Sequence, residues 1–204
     1  MLAALALLSV LFPAPLHLTR EVTDPIRGSK SVIEEYCHGN RVVSVSGHRT
    51  AIAEYDKGTV TTIDFDAGTY SVATFDELAK AWPAPKSSPA MRVTPDPHHT
   101  VSREAAEVLL GAAYPLPPLS DKVLGTLRSG SRMASNSAGA PVEYALPAEQ
   151  IVELGEGLEL RNSVVRVGSE LAPADVMSIP PGARRVEAKE LALRRMAAEL
   201  DGQR

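Results

Sequence analysis

Two Asp-x-Gly triplets, Asp56-Lys57-Gly58 and Asp66-Ala67-Gly68, punctuate three strand-like runs between Thr50 and Phe75. In such a triplet the Asp bonds back to nearby backbone and Gly supplies the positive φ of a tight hairpin loop, here expected to be a three-residue loop with a bulge. The runs between the turns, Thr59 to Phe65 and Thr69 to Thr74, are rich in Val, Ile, Thr, Tyr and Phe, which suit a pleated, half-buried surface. An antiparallel meander follows. Upstream, Ser31 to Cys37 and Arg41 to Val45 read as two more strands, separated by His38-Gly39-Asn40, so turns recur at the spacing of successive hairpins rather than of βαβ units.

Beyond Phe75 the period changes. Asp76 is placed to cap a short helix through Leu78 and Trp82, which Pro83 ends. The stretch 83–100 is rich in Pro, Ser and Ala and reads as an extended linker or surface loop. Ser102 caps an amphipathic helix with Ala105, Val108, Leu109 and Ala112 on one face, and Ser120 caps a second with Val123, Leu124 and Leu127. A Ser/Gly/Ala-rich loop spans Ser129 to Ala140. Strands are expected again at Pro141 to Leu146, Gln150 to Leu154 and Leu158 to Val167. A turn is set by Ile179-Pro180-Pro181-Gly182, and a last helix runs from Ala188 to Leu200. The expected fold is therefore α+β: a curved antiparallel sheet of about eight strands, half-barrel-like, with two or three helices packed on one face.

The apolar run Met1 to Phe12, closed by Pro13, is too short to cross about 30 Å of hydrocarbon and reads as a signal peptide over residues 1–16. A single domain then spans 17–204, in the periplasm or outside the cell. A net charge of −4 without a basic stripe argues against nucleic-acid binding, and membrane contact is expected to be transient at most. The lone Cys37 excludes an internal disulfide.

Signals for chemistry are sparse. His98-His99 are consecutive just after Pro95 and Pro97 and point opposite ways in an extended chain, so they suggest a surface segment rather than a metal site. Cys37-His38 resembles a thiolate–imidazole pair, yet adjacent strand residues face opposite sides. Asp64 and Asp66 share a strand face and read as solvated charge. Gly-x-Ser-x-Gly, Ser-x-x-Lys with its companions and His-Glu-x-x-His are missing. No enzyme, metal or cofactor is expected on these grounds.

The apolar load is concentrated instead. Of nine aromatic residues (five Tyr, three Phe, one Trp), Tyr36, Tyr55, Phe65, Tyr70, Phe75 and Trp82 lie in or beside the meander. Such a set reads either as plain core or as the lining of an apolar groove under helices rich in small residues.

The segment Glu54 to Trp82 (EYDKGTVTTIDFDAGTYSVATFDELAKAW) resembles secreted bacterial proteins of unknown function that look related to the LolA/LolB lipoprotein-carrier superfamily. That resemblance implies a bent sheet closed by helices around a lipid cavity, with Ile63, Phe65, Tyr70, Val72 and Phe75 on the concave face. Together with Tyr55 and Trp82 these form the expected ligand-binding set. The expectation is a non-enzymatic exported binding protein for a lipid or acyl chain. The alternative is a structural or protein-interaction module without a ligand cavity.

Overall fold

The Asp-x-Gly turns adopt the conformation their composition dictates, with Gly58 at φ 62° and Gly68 at φ 57°. Each encloses four residues rather than three, because Glu54 pairs with Thr59 and Asp64 with Thr69. In the second turn Asp64 Oδ1 accepts the Ala67 N–H at 2.9 Å. The computed structural model describes residues 10–26, 28–81, 90–112, 143–188 and 190. In chain order these form β1 (Phe12–Thr23), β2 (Lys30–Gly39), β3 (Arg41–Ser46), β4 (Arg49–Glu54), β5 (Thr59–Asp64), β6 (Thr69–Thr74), α1 (Phe75–Ala81), β7 (Met91–Val101), α2 (Arg103–Ala112), β8 (Tyr144–Gly155), β9 (Leu158–Gly168) and β10 (Arg184–Arg185).

All ten strands join one sheet in the order β10-β6-β5-β4-β3-β2-β1-β9-β8-β7. Neighbours are antiparallel except β10, which runs parallel to β6. The expected α+β layering is thus corrected to a sheet-dominated fold. Among the described residues the helices have only seven and ten residues.

Two segments account for most of the difference. The apolar start of the chain, read as a leader through Leu16, enters the sheet at Phe12; β1 sits centrally, paired with β2 on one side and β9 on the other. The Pro-rich stretch read as a linker contains β7. Pro95 and Pro97 lack an N–H, which is tolerated because β7 is the last strand of the sheet among the described residues and pairs there with β8 alone. The helix expected from Ser120, most of the one expected from Ala188, the Ser129 to Ala140 loop and Trp82 lie outside the described residues.

Local signals explain the helices that are described. Ser102 Oγ accepts the Ala105 N–H at 3.1 Å and caps α2 as expected. The cap of α1 is Thr74 rather than Asp76. Thr74 Oγ1 accepts the Glu77 N–H at 3.1 Å while Glu77 Oε2 accepts the Thr74 N–H at 2.8 Å, a reciprocal capping box.

Register sorts the side chains onto two faces. On one, Leu18 and Val22 of β1, Cys37 of β2, Val42 of β3 and Leu146 of β8 are buried, and α2 lays Ala105, Ala106, Leu109 and Leu110 onto that side. On the other, Val43, Ile52 and Ile63 form a cluster with Tyr36, Phe65 and Tyr70. Its cover is Ala172, Val176 and Met177 from residues 169–183, an irregular segment between β9 and β10 called the strap below. The strap ends in a turn where Ala183 N–H donates to the Pro180 carbonyl at 3.0 Å, with Gly182 at φ 81°. Away from the strap, that same face is wet over β1, β2, β8 and β9: Lys30 pairs with Glu21 at 2.7 Å and Arg161 with Glu149 at 3.4 Å.

Candidate functional site

The adjacent strands β1 and β2 carry a polar constellation on each face. Beneath α2, Arg20 and Glu35 are fully buried and joined through Arg20 Nε. Arg20 Nη2 also donates to the Leu109 carbonyl of α2 at 3.4 Å, and Gln150 Nε2 donates to the same oxygen at 3.3 Å. Asn162 stands opposite Gln150 across β8 and β9 and is 2% exposed. Arg20 Nη1 and both amide atoms of Asn162 have no hydrogen-bond partner. The ion pair thus offsets one buried charge with another and ties the helix end to the sheet.

Cys37 lies on the same side as Glu35. Burial first, then the negative charge of Glu35, pushes its thiol far above its ordinary range. A thiol so held is a weak nucleophile. His38 is exposed and Cys37 buried, so the sequence-adjacent pair does not act together. Asp64 pairs with Arg49 at 3.0 Å and Asp66 with His48 at 2.6 Å, while Asp96 binds the His98 N–H and the His99 ring. Among the described residues no group of three or more His, Cys, Asp or Glu is arranged to hold a metal.

On the strap side, a cleft of about 440 Å³ opens beside the β2–β3 turn. Its apolar wall includes Tyr36, Val43, Leu171, Ala172 and Met177, and its polar wall includes Arg41, Glu54, Asp56 and Lys57. Hydrogen bonds from Lys57 and then Arg41 hold the Glu54 carboxyl below its ordinary value. At the rim Tyr36 stacks on His17 at 4.2 Å, and burial, then the charges of Glu34 and Glu170, raise its phenol.

The expected ligand-binding set is divided by the fold. Ile63, Phe65 and Tyr70 come together under the strap. Val72 is on β6 but exposed. Tyr55 packs against the cluster under α2 and meets Phe75 at 5.4 Å between ring centroids. Burial raises the Tyr55 phenol to about 12. Trp82 lies outside the described residues, and none of the other six lines the cleft. Sequence reasoning missed His17, Arg20, Glu34 with its neighbour Glu35 as partners, Gln150, Asn162 and Glu170. The one available signal was a run of charged residues, Glu34-Glu35, inside an otherwise strand-like apolar segment.

No protein-family model matches the chain, and no curated protein is significantly similar to it.

Proposed function

We propose that the protein is a non-enzymatic binding protein for an apolar or amphiphilic small molecule, such as a lipid or acyl chain, taken up between the strap and the sheet. The observation that carries this reading is the contrast between an apolar sheet face and its slight cover. Tyr36, Val43, Ile52, Ile63, Phe65 and Tyr70 are roofed by Ala172, Val176 and Met177 on irregular chain, with a cleft opening at the side. The small Ala172 and the unbranched, flexible Met177 leave room for a competing chain, and each Å² of apolar surface removed from water contributes roughly 25 cal/mol, less ordering costs. The charged wall of the cleft suits a polar head group. No described helix is long and apolar enough to cross a membrane. Export to the periplasm or medium belongs to this proposal and rests on the apolar run before Pro13.

Native mass spectrometry of the purified protein, followed by titration with a fluorescent fatty acid, tests the reading. A co-purifying or saturably bound acyl chain, displaced in Met177→Trp, is the expected result. Absence of both in the wild type would sink it. A second reading, a structural or protein-interaction module, is favoured by the division of the aromatic set between two faces, with Tyr55 and Phe75 used in packing.

A further inference from the structure

The strap is fastened near its β9 end by side chains from three elements. His17 of β1 is 6% exposed, and both of its ring nitrogens meet carboxylates. Nε2 lies 2.7 Å from Glu34 Oε2 on β2, and Nδ1 lies 3.0 Å from Glu170 Oε2 on the strap. A carboxylate ion only accepts hydrogen bonds, so both contacts are hydrogen bonds only when the ring carries a proton on each nitrogen. The neutral ring has one N–H. Its other nitrogen then presents a lone pair to a carboxylate.

The remaining groups around the ring decide which contact yields. Glu34 sits on a rigid strand and also accepts the Thr19 hydroxyl at 2.8 Å, whereas Glu170 is half-exposed on irregular chain. Arg166 of β9 pairs with Glu170 from outside, and Tyr36 of β2 covers the ring face. The cross-strand partner of His17 on β9 is Gly168, and a Cβ there would overlap Glu170 Oε2. The missing side chain is the space through which Glu170 reaches His17.

We propose that Glu34, His17 and Glu170 form a pH-operated clasp: the doubly protonated ring fastens the strap to the sheet, and loss of one ring proton releases the strap at Glu170. Release widens the cleft beside Tyr36, Leu171 and Met177, all of which line it with Glu170. On the acid side the hydrogen bond from His17 holds the Glu170 carboxyl below its ordinary value. A depressed carboxyl contributes while ionised, so the Glu170 contribution is lost as pH falls through its lowered folded-state value. The device stands on these contacts alone, and its failure would leave the apolar-ligand reading untouched.

Hydrogen exchange of the unliganded full chain, read by mass spectrometry over residues 169–178 at about pH 5.5 and about pH 8.5, brackets the imidazole range. After correction for the chemical exchange rate, strap protection in the wild type is expected to be roughly tenfold higher at the acid pH, the scale of one charge-assisted hydrogen bond. Gly168→Ala, which alters no charge and needs no unusual φ, is expected to reduce acid-side protection to the alkaline level, with β4 and β5 unchanged. Glu170→Gln, at a half-exposed position, is expected to abolish the pH dependence. Equal protection at both pH values in the wild type, or an undiminished pH dependence in either variant, would overturn the proposal.

Discussion

Over β1, β2, β8 and β9 the sheet is covered by α2, whose Leu109 carbonyl receives hydrogen bonds from the buried side chains of Arg20 and Gln150. Over β2 to β6 the opposite face is covered by the strap, which meets the sheet through Ala172, Val176 and Met177 and is fastened by polar side chains near one end. The first cover is held by directional bonds to a low-dielectric interior, where a shift of one residue would strand an ion. The second, beyond the His17–Glu170 fastening at its β9 end, is held by contacts that have no preferred direction and accept a small slide. Directional bonds select one register for α2, whereas dispersion and burial merely favour contact. Segments of the second kind open at low cost, which is where binding surfaces are drawn from.

Arg20→Met strikes the helix side hardest. It leaves Glu35 buried without its partner and is expected to lower stability by about 3–5 kcal/mol, read as a fall in the urea midpoint. The double variant Arg20→Met with Glu35→Leu should regain most of that loss. If the single change costs less than about 1 kcal/mol, the helix side is not held by its ion pair. On the strap side, Met177→Ala trims a partly buried side chain at a cover that can readjust. Its expected cost is about 1 kcal/mol, well under the usual range for deep core sites; a loss of several kcal/mol would show a tightly fitted lid.

The smallest effect is silent at neutral pH. Burial raises the Tyr55 phenol from 10.0 to about 12, so the folded state favours its neutral form. The corresponding stability is complete below the free phenol's value and is lost as pH rises through the folded one. An ultraviolet titration of the native protein should show one tyrosine ionising near pH 12 on the helix side. Titration of every tyrosine at the free value would place Tyr55 in solvent.

Much of the meander was legible because its signals are local. The alternation in Thr69 to Thr74 and the glycines at 58 and 68 act within a hairpin, and β6 has the bounds the pattern suggested. Ser102 before an apolar helical face was equally readable. What escaped depends on long-range placement. Phe12 and Leu16 read as leader by composition, while their places in the sheet depend on Gly39 and Cys37 of β2 opposite them, and Pro95 reads as loop until its strand takes the last place in the described sheet. The polar partners were hidden for a related reason. His17 and Glu170 are 153 positions apart, and Arg20 and Leu109 are 89 apart, so no periodicity links them. The aromatic set reads from the sequence either as core or as groove lining, and hairpin periodicity does not reveal that Tyr55, one residue beyond β4, turns toward α2 while Phe65 turns toward the strap.

Long open margins of β-structure invite neighbouring chains to add on. Here the outermost strand interrupts its row of donors at Pro95 and Pro97 and slips its pairing between Asp96 and Thr100. An incoming copy meets gaps where it needs a continuous template, so end-to-end growth into fibres is discouraged at that margin even when the protein is crowded.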